Sequence, residues 1–161
     1  MDPQTLVQAA EVLMTLRRRS WRIATAESCT GGLIAAALTH VAGSSDVMER
    51  GFVTYSNEAK IAMLGVPMAM IGVHGAVSEA VAGAMVAGAL AHSPADIAVA
   101  VTGVAGPGGG SAAKPVGLVW FGLATRYGGV RTQHMLFPGD RAAIRTQTVA
   151  HAFTMILKAC A

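Results

Sequence analysis

Charge is scarce in this 161-residue chain: only 13% of residues are Asp, Glu, Lys or Arg, and only 5% are aromatic. The sole cationic run, Arg17-Arg18-Arg19, lacks the interleaved aromatic side chains of a single-strand nucleic-acid binder, so the net charge of +3 does not point to nucleic acid. Cysteine is nearly absent. Cys29 and Cys160 sit near opposite ends of the chain, too few for a disulfide framework and without zinc-site spacing, and they read as free thiols. The five histidines show no metal-like spacing, and no metal is expected. Long apolar runs are missing as well: the uncharged stretches 29–45 and 61–77 are broken by Gly, Pro, His or Ser and fall short of the roughly 18 apolar residues a spanning helix needs. The N-terminus lacks the basic and then apolar layout of a signal peptide, so the expected location is the cytoplasm, with no membrane partner.

What is abundant is apolar residues, at 53%, which exclude disorder and supply a large core for a single domain spanning 1–161. Asp2-Pro3 reads as a helix cap followed by proline, with Leu6, Ala9, Ala10, Leu13 and Leu16 at helical spacing behind it. Strands are expected at Arg22–Ala26, Phe52–Tyr55 and Ile97–Val101. Helices are expected from Gly31-Gly32 to about Val41, over Asn57–Leu64, and from Ser78-Glu79 to about His92. A hairpin of Val116–Thr125 and Val130–Phe137 turns at Tyr127-Gly128-Gly129, and a last helix opens at Gly139-Asp140. The pattern predicts an α/β/α sandwich with a mixed, largely parallel sheet.

Open α/β sheets bind ligands where strand ends enter loops and helices. Ser28 and Thr30 stand at such a junction, ahead of Gly31 and Gly32. The turn is open to two readings, an oxyanion or phosphate cradle or a plain helix cap. The loop Gly103–Lys114, with five glycines after a buried strand, lacks both the P-loop ending and the helix a dinucleotide fingerprint requires, and reads as a pocket wall or a flexible connector. Its Ser111-Ala112-Ala113-Lys114 string lacks the companion motifs of a β-lactamase. Lys60 is either a solvated surface lysine or, if buried, a base for a serine hydroxyl. Arg141 and Arg145 share a helix face and either grip a phosphate or pair with Asp140 at the surface.

Five strings in order, Thr25–Gly32, Gly51–Lys60, His74–Ser78, Gly103–Pro107 through Lys114–Gly117, and Gly139-Asp140-Arg141, make nearly the whole chain resemble the CinA C-terminal domain family, in its stand-alone form. The resemblance implies hydrolysis of the carboxamide of nicotinamide mononucleotide to nicotinate mononucleotide and ammonia, without a cofactor. The family's serine falls on Ser28 and its lysine on Lys60, with Tyr55 nearby. On that basis Ser28 is expected as nucleophile, Lys60 as base and then acid, and Tyr55 as a proton relay or orienting group. Oxyanion donors are expected from the backbone of Thr30, Gly31 and Gly32. Thr102 with the loop of Gly103, Ala105 and Gly106 is expected to line the nucleotide pocket, and Arg141 with Arg145 to meet the 5′-phosphate. Cys29 is a rival nucleophile, and a non-catalytic nucleotide-binding or protein-interaction module linked to competence or DNA damage is the rival function. The apolar content leads us to expect a homo-oligomer.

Overall fold

Two strands of this protein alternate in side-chain size rather than in polarity. In the computed structural model, which describes residues 1–161, β1 (Ile23–Glu27) and β3 (Ile97–Gly103) run parallel and adjacent, with Ile23 opposite Ile97 and Glu27 opposite Val101. Successive strand residues point to opposite faces. Ile23, Ile97, Val99 and Val101 therefore join one buried cluster, and Ala24, Ala26, Ala98 and Ala100 another. The bulky side packs on α1 (Pro3–Arg18), α2 (Leu33–His40) and α6 (Arg141–Ala159) through Leu13, Leu16, Ile34, Leu38, Phe153 and Ile156. The alanine side receives α3 (Asn57–Leu64) and α5 (Glu79–Ala91) through Leu64, Val81, Met85, Val86 and Ala89.

The remaining strands are β2 (Met48–Val53), β4 (Leu118–Thr125) and β5 (Val130–Leu136), and the sheet order is β2-β1-β3-β4-β5. β2 pairs with β1 in parallel, while β4 is antiparallel to both β3 and β5. Four strands thus point one way and only β4 the other. This is the expected sandwich with a mixed, mostly parallel sheet. No helix is long and apolar enough to cross a membrane.

Local signals decide most helix starts. Asp2, Ser56, Ser78 and Asp140 each accept a hydrogen bond from the backbone N–H three residues on, as side-chain caps should. Two expectations shift. β2 begins at Met48, four residues before the expected Phe52, because its Glu49-Arg50-Gly51 centre carries no apolar alternation. It is an edge strand, and its Glu49 is paired with Arg22 and Arg50. The helix α4 (Met68–His74), with no buried residue, falls where no element was expected.

The alanine side permits close approach, most of all at Gly88, where an added Cβ would stand 2.0 Å from the Leu64 carbonyl oxygen. That neighbour is backbone and cannot swing aside. Gly88→Ala is therefore expected to cost on the order of 3 kcal/mol through overpacking between α5 and α3, seen as a lowered midpoint in urea unfolding. A midpoint equal to the parent's would show that the two helices separate freely.

Candidate active site

The parallel pairing of β1 with β3 and β2 brings three chain reversals together at one sheet end. Ser28, directly after β1, donates its N–H to Val101 O at 3.0 Å, and Thr54, directly after β2, donates to Glu27 O at 2.9 Å. Ser56 then caps α3, whose fourth residue is Lys60. One helical turn carries the Lys60 side chain back beneath the strand ends, where it is 1% exposed and ranks among the largest fully buried side chains of the protein.

Lys60 Nζ lies 2.9 Å from Thr54 O, 3.3 Å from Tyr55 O and 3.1 Å from Ser28 Oγ. No carboxylate pairs with it; the ion pairs of the protein are Arg17–Asp46, Arg22–Glu49 and Arg50–Glu49. Removal from water disfavours its charged form and pulls its pKa below the ordinary lysine value. A neutral amine has two N–H donors and one lone pair. The charged form donates to all three oxygens; in the neutral form the two N–H donors meet the carbonyls and leave the lone pair for the Ser28 proton.

Ser28 and Lys60 open onto a cleft of about 200 Å³, lined also by Cys29, Tyr55, Asn57, Ala76, Val77, Thr102, Gly103, Ala105 and Arg141. Buried Thr102 donates its hydroxyl to Ala76 O at 2.9 Å and fixes that wall. Arg141 donates to Gly106 O at 2.9 Å. Ala105 and Arg141 also border a second, more open hollow, shared with Pro107, Val116, Gly139, Asp140, Ala142 and Arg145.

Several expected site residues stand elsewhere than expected. Gly32, in left-handed conformation, precedes α2 without a side-chain cap, so neither Ser28 nor Thr30 caps that helix. Instead the buried Glu27 carboxylate occupies the helix start, accepting from Ile34 N (2.8 Å), Ala35 N (3.1 Å) and the Thr30 hydroxyl (2.7 Å). The positive helix end is filled internally. Gly31 N–H is likewise used, on Ser28 O. Thr30, Gly31 and Gly32 lie outside the cleft lining, whereas Cys29 and Ala105 line it and are among the lining residues whose backbone N–H groups donate to no other residue. Tyr55 is 62% exposed; its carbonyl meets Lys60, while its hydroxyl stands 3.5 Å from Arg141 Nη2 at the mouth. Arg145 borders the second hollow and not the cleft, and donates to Cys29 O and Thr30 O.

The model of the CinA C-terminal domain family matches residues 6–160. The chain belongs to the CinA C-terminal domain family. Among relatives of this CinA domain, the nicotinamide-nucleotide amidohydrolase PncC of Escherichia coli K12 is 50% identical over 151 residues, covering 94% of this chain and 92% of that protein. The protein of the same name from Pseudomonas putida is 52% identical over 160 residues, 98% of each. In three dimensions the crystal structure of the competence/damage inducible protein CihA from Agrobacterium tumefaciens superposes with a TM-score of 0.96 at 47% identity, covering 98% of this chain and 96% of that one.

Asn57, Ala76 and Val77 line the cleft of this CinA domain without having been singled out. Ala76 and Val77 carry no reactive group by which chemistry could mark them, although both lie in a string that carried the resemblance. Asn57 sat beside Lys60 in another. Cys29 shares the cleft, but burial pushes its thiol up to about 11. At neutral pH it holds its proton and is a poor nucleophile. Iodoacetamide should accordingly modify Cys29 of the folded protein slowly at pH 7, with the rate climbing about tenfold per pH unit until the thiol titrates. A fast, pH-independent reaction would show that the thiolate is already present.

Proposed function

We propose that this cleft hydrolyses the carboxamide of nicotinamide mononucleotide, releasing ammonia and nicotinate mononucleotide. As a CinA domain with curated relatives named nicotinamide-nucleotide amidohydrolases, the chain is an amidohydrolase. The observation that carries the mechanism is a buried lysine, paired with no acid, whose Nζ is 3.1 Å from a serine hydroxyl.

Ser28 Oγ attacks the carboxamide carbon as its proton passes to Lys60 Nζ. The oxygen of the tetrahedral intermediate takes up negative charge and is met by the N–H groups of Cys29 and Ala105, the first following the nucleophile as in other serine hydrolases. Lys60 then returns its proton to the nitrogen as the C–N bond breaks, and ammonia departs. The remaining Ser28 ester is attacked by water, whose proton again goes to Lys60. Collapse frees the carboxylate and restores the Ser28 hydroxyl. Lys60 thus alternates between base and acid, and the flanking carbonyls of Thr54 and Tyr55 stabilise its transient ammonium.

The hollow beyond Arg141 and Ala105 continues the cleft and is the place for the ribose 5′-phosphate. Arg141 opens α6 there and presents a guanidinium that suits phosphate geometry. Tyr55, with its hydroxyl at this guanidinium, orients Arg141 and covers the ring at the mouth rather than relaying the catalytic proton.

Ser28→Ala should abolish ammonia release while mononucleotide still binds, whereas Cys29→Ala should remain active. The reverse pattern would move the nucleophile to Cys29. The base must be neutral, so the rate should rise with pH as Lys60 loses its proton, along a limb below the usual lysine range near 10.4. Lys60→Arg, which stays charged, should lose the limb and the activity, and an active Lys60→Arg enzyme would remove lysine from the mechanism. Arg141→Ala should raise KM for the mononucleotide about 10- to 100-fold, the loss of one charge-assisted hydrogen bond, and leave KM for nicotinamide riboside nearly unchanged. Equal losses on both compounds would place the phosphate elsewhere.

A further inference from the structure

We propose that Arg145, with Glu27 as its counterpart, is a positioning residue that holds the Ser28–Thr30 turn in its reactive shape; the inference rests on the amidase reading of the cleft. That turn lies between β1 and α2 and is held by few bonds of its own. Arg145, half-buried on α6 one turn beyond Arg141, donates Nε to Cys29 O at 3.1 Å and Nη2 to Thr30 O at 2.9 Å. No carboxylate competes for it, since it takes part in none of the protein's ion pairs. Two of its three nitrogens are therefore engaged by one stretch of backbone, in the forked geometry that a guanidinium offers and an ammonium does not.

The hold reaches the reacting groups through planar peptides, in which N–H and C=O point in opposite directions. Fixing Thr30 O fixes the 30–31 peptide and hence the direction of Gly31 N–H. That N–H donates to Ser28 O at 3.0 Å, which in turn fixes the 28–29 peptide and the direction of Cys29 N–H, the oxyanion donor of the mechanism. From the other end, Glu27 ties the Thr30 hydroxyl to the start of α2, at 2.7 Å and 2.8 Å from the same Oε1. The turn is thus held by its carbonyls from α6 and by a side chain from α2. Both arms are largely withdrawn from solvent, Glu27 at 1% exposure. A displacement of about 1 Å in such a site is enough to cost on the order of 100-fold in rate.

The experiment compares the parent with Arg145→Ala, Arg145→Lys and Glu27→Gln in two assays. One measures kcat and KM for nicotinamide mononucleotide. The other uses mass spectrometry to follow the labelling of Ser28 by a small alkyl fluorophosphonate, which carries no nucleotide and so reports on the turn alone. The expected result for Arg145→Ala is a 10- to 100-fold fall in kcat and a parallel fall in the labelling rate, with KM within about twofold of the parent. Arg145→Lys, which supplies a donor without the fork, should recover part of both, and Glu27→Gln should move in the same direction as Arg145→Ala. A rise in KM with labelling unchanged would make Arg145 a phosphate ligand and overturn the proposal, as would no change in either assay. Should Arg145→Ala fail to fold, the lysine variant decides by the same two readings. If the parent releases no ammonia from the mononucleotide, the proposed function falls while the labelling rates still decide the clamp. A parent Ser28 that resists labelling overturns the clamp too, because it then positions no nucleophile.

Discussion

An amine taken out of water with no acid beside it is the constraint around which this site is arranged. A carboxylate partner would hold Lys60 charged and useless as a base, and open solvent would do the same. The protein supplies neither. It encloses the side chain beneath three strand ends and offers it two backbone carbonyls, which accept hydrogen bonds from either protonation state but add no full negative charge. The carbonyls are in place because Thr54 is bonded back to β1 through Glu27 O. The parallel pairing of β1 and β2 therefore sets the distance between Ser28 Oγ and Lys60 Nζ.

The one buried carboxylate in the neighbourhood is kept from Lys60 by being given other work. Glu27 precedes Ser28 immediately, yet its oxygens are used by two backbone N–H groups at the start of α2 and by the Thr30 hydroxyl. The helix dipole compensates its charge locally, without a cation. The same negative charge helps to keep the neighbouring Cys29 thiol protonated, in addition to the larger effect of burial. Two successive residues with hydroxyl and thiol side chains thus stand in different surroundings, Ser28 beside the buried Lys60 amine and Cys29 under a burial cost beside an anion.

Periodicity and capping residues made the architecture readable before any coordinates. Asp2, Ser56, Ser78 and Asp140 mark helix starts by a mechanism that is local, and Ile97-Ala98-Val99-Ala100-Val101 announces a strand buried on both faces. The start of β2 was not readable, because an edge strand with Glu49 and Arg50 at its centre owes its existence to pairing with β1 and not to its own residues. The site was legible in part. Ser28, Lys60, Tyr55, Thr102, Gly103, Ala105 and Arg141 meet at one cleft, and the residues of the Thr25–Gly32 and Gly51–Lys60 strings had marked its floor. What a linear reading lacked was knowledge of who occupies a hydrogen-bonding group. A Ser-x-Thr-Gly-Gly turn before a helix offers free N–H groups on paper. Only the fold shows Gly31 N–H turned onto Ser28 O, Glu27 bending back to the Thr30 hydroxyl and to the N–H groups of Ile34 and Ala35, and Arg145 reaching across 115 positions to Thr30 O.

The unequal faces of the central strands leave the molecule with unequal room for change. On the side of α1, α2 and α6, large branched and aromatic residues interlock, and such a layer accepts exchanges in which one side chain shrinks as its neighbour grows. On the side of α5, Leu64, Val81, Met85 and Val86 pack among alanines, but at two glycines the contact is against backbone: an added Cβ at Gly122 would stand 2.5 Å from Ala82 O, just as one at Gly88 meets Leu64 O. At those two glycines the facing atoms are backbone with no volume to surrender, so an added side chain there can only push the layers apart. The half of the sandwich that carries α3, and with it the lysine, thus has its spacing set at two points by backbone contact, while the spacing of the other half is set by interlocking side chains.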